Sequence, residues 1–230
     1  MIRSLFFDFN GVIIDDEPIQ LKAYQQVLSA EGITLTEAEY YDALGMDDVT
    51  FVRAAFARAG KALADETLGG VIERKTQLHH ELFKDELPLF PGAATFVKAA
   101  SYHFGIALVS MARRVEIEHV LEGAGLTGVF DVIVSAEDVN ACKPDPASYN
   151  LAFKLMDDAL SARGELHISP EDCLAIEDAP PGIIAARRAG MRTLGITNTV
   201  KEEALRAAGA EVVTKNLADW TPDAVHHVFD

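Results

Sequence analysis

The chain has few thiols and no long apolar run. Its 230 residues include two cysteines, Cys142 and Cys173. Both lie close to predicted strand ends in apolar surroundings, so we expect buried, reduced thiols rather than a disulfide or a redox site. No apolar run reaches the ~18 residues of a membrane helix, and the first residues lack the pattern of a signal peptide. These absences favour a cytoplasmic protein without a membrane partner.

Positive charge is also scarce. Lys and Arg number 20 against 36 Asp and Glu, which gives a formal net charge of -16. Such a surface repels nucleic acid and anionic membranes, so we predict neither as a partner. An anionic substrate stays compatible with this charge, because a divalent cation and one or two basic side chains can dominate the field inside a cleft.

An apolar run near the start of the chain ends at an acid, an amide and a glycine. Residues 5–7 have the composition of a strand that is buried on both faces, and Asp8, Asn10 and Gly11 follow. This places Asp8 at the carboxyl end of a strand, where ligands bind in open α/β sheets. The same residues also fit an ordinary turn, so the later stretches decide between the two interpretations.

A helical pattern occupies residues 16–88. Asp16-Glu17-Pro18 begins the first helix with acids in its first turn, and Thr36 with Glu39 predicts a capping box for the second. A third helix is predicted from about Asp48 to Ala59, with Val49 on its apolar face, and a fourth from about Asp65 to Phe83. We predict a small helical bundle over 16–88, inserted into a core formed by 1–15 and 89–230.

Strands and helices alternate in the rest of the chain. Strands are predicted at 106–109, 132–134, 173–176, 193–196 and 212–213, and each is followed by a helical segment. This alternation requires right-handed crossovers and a parallel sheet. The predicted fold class is therefore α/β, a Rossmann-like doubly wound parallel sheet with an inserted helical bundle.

Polar side chains end three of these strands and follow a fourth. Asp8, Ser110 and the pair Glu177-Asp178 lie at strand ends, and Lys143 follows the 132–134 strand. The carboxylates are hard oxygen ligands that suit Mg²⁺, and a cation with Lys143 and Ser110 would neutralise a phosphoryl group attacked by Asp8. Singly, Ser110 also fits a helix cap and Lys143-Pro144 a turn. Four such features at one sheet edge favour chemistry.

The motifs resemble those of the haloacid dehalogenase superfamily, and within it the β-phosphoglucomutase-like branch of phosphatases and mutases. The opening motif is matched by Asp8-Phe9-Asn10-Gly11-Val12, with one departure at Asn10. Ser110 matches the second motif, Lys143-Pro144 the third, and the stretch 176–183 the fourth. The likeness covers almost the whole chain. It also implies that the helical block 16–88 is the cap domain of that branch.

The resemblance assigns the chemistry to the opening and fourth motifs. It implies that Asp8 is the nucleophile and forms an aspartyl-phosphate. It also implies that Mg²⁺ is held by the Asp8 carboxylate, the backbone carbonyl of Asn10 and Asp178, with Glu177 close by or joining.

The resemblance assigns substrate binding to the other motifs. Ser110 and Lys143 are implied to bind the phosphoryl oxygens, together with Gly11 and Met111. Lys75 is implied to be a cap lysine that contacts the substrate; a solvated helix face is an equally good interpretation of that position. The implied partner is a small phosphorylated metabolite, and the implied assembly is a monomer or a weak dimer.

Asn10 stands where the superfamily has its catalytic acid and base. An amide keeps the shape and the backbone carbonyl, so metal and phosphate binding should survive, but it cannot transfer the proton. That loss typically costs ~10²–10⁴-fold in rate. Three explanations are open: a deliberate substitution that traps a complex, a native residue suited to good leaving groups such as acyl phosphates or pyrophosphate, and a binding protein without turnover.

Sister activities fit the sequence less well. A haloacid dehalogenase uses no Mg²⁺, whereas the Glu177-Asp178 pair is retained, and phosphonoacetaldehyde hydrolase needs a cap lysine that is missing from 44–48. Gln20 and Asp48 stand where a sugar mutase would carry histidine and arginine. We therefore predict a Mg²⁺-dependent phosphohydrolase slowed or restricted by Asn10. A non-catalytic phosphometabolite-binding protein and a β-phosphoglucomutase-like mutase are the alternatives.

Overall fold

A computed structural model of the chain describes residues 1–82 and 87–230. Its elements, in chain order, are β1 Ser4–Phe7, α1 Glu17–Ala30, α2 Glu37–Tyr41, α3 Asp48–Arg58, α4 Asp65–Leu82, α5 Ala93–Ala100, β2 Gly105–Val109, α6 Arg114–Gly123, β3 Val132–Val134, α7 Ala147–Ala162, β4 Cys173–Glu177, α8 Pro180–Arg188, β5 Arg192–Ile196, α9 Glu202–Ala208, β6 Val212–Thr214 and α10 Pro222–Phe229. The predicted end of the fourth helix at Phe83 lies outside the described residues. None of the described helices is long and apolar enough to cross a membrane.

Across the described part of the chain, six parallel strands form one sheet in the order β3-β2-β1-β4-β5-β6. The chain runs outward from β1 in one direction through β2 and β3, and in the other through β4, β5 and β6. Ligands of open α/β sheets bind outside the carboxyl ends of the strands where the order reverses in this way. The predicted doubly wound parallel sheet is confirmed, and its reversal point lies beside β1.

Successive residues of β1 are buried on opposite faces of the sheet. Leu5 and Phe7 pack in the cluster that includes residues of α5, α6 and α10, whereas Phe6 packs in the cluster that includes residues of α7 and α8. All three side chains are fully buried. Burial on both faces explains why the strand is a continuous apolar run, and it delivers Asp8 to the carboxyl edge of the sheet.

Helices α1–α4 pack around an apolar cluster of their own. The capping box between Thr36 and Glu39 is present at the start of α2, as predicted. The expectation for Val49 is wrong, because this side chain is 43% exposed. The buried residues of α3 are Phe51, Val52, Ala55 and Phe56. Val49 lies at the edge of the stripe that they form, so it faces outward.

The two cysteines differ in their surroundings. Cys173 is buried in β4 and Cys142 is half-buried, and both are free thiols. The expectation of full burial is therefore wrong for Cys142. Its Sγ lies in a loop beside the start of α3, where it accepts a hydrogen bond from the backbone N–H of Asp47 at 3.4 Å.

Candidate active site

Strand pairing brings three of the predicted carboxylates together. Asp8 follows β1, Glu177 ends β4 and Asp178 follows it, and one carboxylate oxygen of each lies within 4.8 Å of the others. The two strands are neighbours, and the backbone N–H of Asp8 donates to the carbonyl of Ile176 at 3.0 Å. The predicted meeting of these side chains at one sheet edge is present in the structure.

Lys143 reaches this cluster from the loop after β3. Its Nζ lies 3.0 Å from Asp8 Oδ1 and 2.7 Å from Glu177 Oε1, and donates to the carbonyl of Val109 at 3.1 Å. Burial opposes the charge, but the carboxylates of Asp8 and Glu177 raise the pKa of Lys143 above its ordinary value. The lysine is therefore a buried cation that contacts Asp8. The interpretation of Lys143-Pro144 as an ordinary turn does not explain this contact.

The carboxyl group of Glu177 occupies space that is left open by the absence of a side chain at Gly182. Its Oε1 accepts hydrogen bonds from Lys143 and from the Tyr149 hydroxyl. A Cβ on Gly182, in the first turn of α8, would lie 1.9 Å from Glu177 Oε2. Burial, and then the charge of Asp8, raise the pKa of Glu177 well above its ordinary value. Any larger residue at position 182 would displace this carboxyl.

Asp178 has a similar relation to Gly11. Gly11 has a φ of +74°, and a Cβ there would lie 1.9 Å from Asp178 Oδ2. The glycine is needed both for its left-handed backbone and for the space that Asp178 fills. Burial and then Asp8 raise the pKa of Asp178 well above its ordinary value. Three carboxylates facing one lysine leave excess buried negative charge, which fits a divalent cation with oxygen ligands.

Ser110 lies at the end of β2 and is fully buried. Its Oγ accepts a hydrogen bond from the backbone N–H of Ala112 at 2.9 Å. Helix α6 begins at Arg114 and its N-cap is Arg113, so Ser110 is not a helix cap. The Ser110-Met111-Ala112 turn instead lines the same cavity as Asp8.

Asn10 is paired with a buried carboxylate that sequence reasoning missed. Its Nδ2 donates to both oxygens of Asp16, at 2.9 Å each. Asp16 is fully buried, accepts a hydrogen bond from Gln20 at 3.1 Å, and has His79 Nε2 at 2.8 Å. Asp16 is the N-cap of α1, at the helix start that the sequence predicts, but its side chain makes no capping bond. Its carboxylate therefore binds neighbouring side chains and does not cap the helix.

Glu17, the next residue, also enters the site. It is the first residue of α1 and lines the cavity with Asp8, and its Oε2 accepts a hydrogen bond from the Tyr40 hydroxyl at 2.6 Å. Burial, followed by the charge of Asp16, raises the pKa of Glu17 to about 7. The sequence signal was two adjacent acids, which helix N-termini explain equally well.

Lys75 reaches the cavity from α4 but is not solvated. It is 1% exposed, and its Nζ lies 3.1 Å from Asp48 Oδ1 and 3.0 Å from Glu116 Oε1. Burial opposes its charge, but both carboxylates raise the pKa of Lys75 above its ordinary value. The solvated-face interpretation is therefore wrong. Because Glu116 belongs to α6, this cluster also links the α1–α4 bundle to the sheet.

The predicted site residues surround one cavity of about 100 Å³. Those on the core side are Asp8, Asn10, Ser110, Met111, Lys143, Glu177 and Asp178. On the helical side the cavity is also lined by Glu17, Gln20, Tyr40, Asp48 and Lys75, of which the sequence predicts Lys75 alone as a site residue. Of the predicted residues that the structure describes, only Gly11 is absent from the wall, because it lies behind Asp178.

The chain is similar in sequence and fold to known proteins. The chain is 32% identical over 206 residues to the protein YhcW of Bacillus subtilis, covering 87% of this chain and 86% of that one. It is 28% identical to hexitol phosphatase B of Escherichia coli K12, covering 96% and 95%. The fold is similar to a β-phosphoglucomutase from Clostridium difficile, with a TM-score of 0.82, 22% identity and coverage of 100% and 97%. The model of the haloacid dehalogenase-like hydrolases matches residues 2–190, and the chain belongs to that family.

Proposed function

We propose that this protein is a Mg²⁺-dependent phosphohydrolase that acts on small phosphorylated sugars through an aspartyl-phosphate on Asp8. The observation that carries the proposal is the buried contact of Lys143 with both Asp8 and Glu177, beside Asp178, at the reversal point of the sheet. It supplies a nucleophile, a phosphate-binding cation and a metal-binding acid pair in one cavity.

Asp8 is held in one orientation for attack. Its Oδ1 accepts a hydrogen bond from the backbone N–H of Phe9 at 2.8 Å and pairs with Lys143 at 3.0 Å. We therefore assign the attack on phosphorus to its other oxygen, Oδ2. Lys143 and the Ser110 hydroxyl are the groups that would bind the phosphoryl oxygens and neutralise their charge in the transition state.

A Mg²⁺ ion would be held by Asp8, the backbone carbonyl of Asn10 and Asp178, with Glu177 beside them. The three carboxylates fit such an ion, because Lys143 alone does not balance their charge. When bound, Mg²⁺ neutralises the phosphate and lowers the repulsion that the acids would otherwise exert on it.

The substrate class is inferred from the relatives and from the polar side chains that line the site. One relative is named for action on hexitol phosphates and another, from Thermotoga maritima, for phosphorylated carbohydrates. The cavity carries hydrogen-bonding groups on its helical side, among them Gln20, Tyr40 and the Lys75 cluster. Such groups suit the hydroxyls of a sugar better than an apolar substrate.

The test is phosphate release, with and without Mg²⁺, from a panel of hexitol and hexose phosphates, pyrophosphate, acetyl phosphate and 4-nitrophenyl phosphate. Asp8→Asn should reduce release on the order of 10³-fold or more, because it removes the nucleophile. Asp158→Asn, an exposed change on α7, is the matched control. Acid quenching should trap phosphate on the peptide that contains Asp8.

Other outcomes would refute the proposal. Conversion of one sugar phosphate into its isomer, detected by phosphorus NMR, would favour a mutase. Saturable binding of the panel without release would favour a phosphometabolite-binding protein. Turnover that survives Asp8→Asn would exclude the aspartyl-phosphate.

A further inference from the structure

The site contains no acid and base at position 10, so the catalytic proton must come from another group. The Nδ2 of Asn10 donates to both oxygens of Asp16, and an amide acts as neither an acid nor a base near neutral pH. An alkyl phosphate nevertheless needs a proton on its leaving oxygen, since an alkoxide is a poor leaving group. The cavity is lined by several ionisable groups besides Asp8.

Most of these groups already form ion pairs. Lys143 pairs with Asp8 and Glu177. Lys75 pairs with Asp48 and Glu116.

Glu17 is different. Among the ion pairs formed by the described residues, none includes Glu17, although its carboxyl group lines the cavity that contains Asp8. The Tyr40 hydroxyl binds one of its oxygens at 2.6 Å and so orients the group. Glu17 is not one of the three carboxylates of the candidate metal site, Asp8, Glu177 and Asp178. It is also not among the side chains that contact the Asp16 carboxylate, which are Asn10, Gln20 and His79.

We propose that Glu17 is the general acid and base of this site, in place of the residue at position 10. The inference rests on the proposed function. In the first half-reaction Asp8 Oδ2 attacks phosphorus, the bond from phosphorus to the leaving oxygen breaks, and protonated Glu17 gives its proton to that oxygen. In the second, Glu17 takes a proton from the attacking water, the bond from phosphorus to Asp8 breaks, and phosphate leaves. Glu17 is protonated again and Asp8 is a carboxylate again.

The charge environment of Glu17 suits this role. A group that must be an acid in one step and a base in the next works best when its pKa is close to the working pH. The pKa of Glu17, raised to about 7 by burial and by Asp16, meets that condition. The charged and titratable groups around it are Asp16 on its own helix end, Tyr40 and Tyr41 of α2, Asp8 after β1, Lys75 of α4 and Asp178 after β4.

The test compares the first turnover of two substrates in wild type and Glu17→Gln. Glutamine keeps the shape of the side chain and an oxygen that accepts from Tyr40. For the best alkyl phosphate of the panel, we expect the first turnover of Glu17→Gln to be slower by ~10²–10⁴-fold. For 4-nitrophenyl phosphate, whose leaving group needs little protonation, the burst of nitrophenol should stay within about tenfold of wild type. The slow second step should then make the phosphorylated Asp8 peptide accumulate.

Two further variants separate catalysis from structure. Tyr40→Phe keeps the carboxyl group of Glu17 and removes a hydrogen bond that lowers its pKa. In the pH–rate profile of alkyl phosphate turnover, the limb that reports Glu17 should therefore move to higher pH. Glu37→Gln, an exposed change in the first turn of α2, should leave that limb in place. Equal losses on both substrates in Glu17→Gln, or alkyl turnover within about twofold of wild type, would overturn the proposal. If wild type itself hydrolyses no alkyl phosphate, the proposed function fails first.

Discussion

Restoring an aspartate at position 10 should destabilise this protein unless Asp16 is changed with it. In the structure Asn10 Nδ2 lies 2.9 Å from each oxygen of the fully buried Asp16. Asn10→Asp would replace that donor with a second carboxylate at hydrogen-bonding distance. Two carboxylates this close, one of them fully buried, cannot both ionise, so the pair must bind a proton or separate.

The magnitude follows from the contacts that are lost. A hydrogen bond to a charged group contributes about 1.5–3 kcal/mol, and two are lost, so Asn10→Asp should cost about 3 kcal/mol or more near pH 8. For a chain of this length that corresponds to a fall in melting temperature of about 6–12 °C. The carboxyl pair of the variant has a raised pKa in the folded state. Its stability is therefore retained at low pH and lost as the pH rises, and the deficit should shrink towards about pH 5.

The assay is a double-mutant cycle by urea denaturation at about pH 8 and about pH 5. Asp16→Asn in the Asn10→Asp background moves the amide to the other side of the contact. We expect it to recover stability to within about 1 kcal/mol of wild type, with a coupling energy of about 2 kcal/mol or more. Additive effects of the two changes, or an Asn10→Asp protein as stable as wild type near pH 8, would refute the reasoning.

Three further predictions concern the rest of the site. Mg²⁺ at about a hundred times its Kd should stabilise the fold by about 2.7 kcal/mol, measured by thermal denaturation. Asp178→Asn should abolish most of that gain without weakening the metal-free protein. An unchanged gain would exclude Asp178 as a ligand. Gly182→Ala should lower the free energy of unfolding by about 1–3 kcal/mol, because the new methyl group displaces Glu177. The control is Gly69→Ala, which has open space in α4 and should stabilise the protein by about 0.5–1 kcal/mol. Equal effects of the two changes in urea denaturation would contradict the displacement. Lys75→Met should cost about 3–5 kcal/mol near pH 8, because it leaves the buried Glu116 and the half-buried Asp48 without their cation. A neutral effect in urea denaturation would mean that this cluster is solvated in solution.

The strand that carries Asp8 was predictable from sequence because burial on both faces leaves a plain signal. Residues 5–7 have no polar position, and such a run, followed by turn residues and by alternating strands and helices, is typical of a parallel sheet covered on both faces. Once the strands are parallel, their carboxyl ends share one edge. The meeting of Asp8 with the Glu177-Asp178 pair therefore followed from the order of strands and polar residues alone.

The partners of Asn10 could not be predicted in this way. Asp16 has the sequence context of a helix start, and its contact with Asn10 depends on how the chain turns between β1 and α1. Lys75 likewise lies on a helix whose pattern fits a solvated face, and its burial results from Glu116, 41 residues later in α6. Local patterns report which face of an element is apolar. They do not report which polar groups of distant elements meet.

The sequence by itself determined the fold class, the place of the site and the family, because all three depend on apolar periodicity and on motifs next to strand ends. Only the tertiary structure decided which polar groups meet in the site and which of them have shifted pKa values. Whether a carboxyl such as Glu17 has an ordinary pKa or one of about 7 depends on its burial, on the adjacent Asp16, and on groups in α2, after β1 and in α4. Those distances are set by packing, and no local run of residues records them.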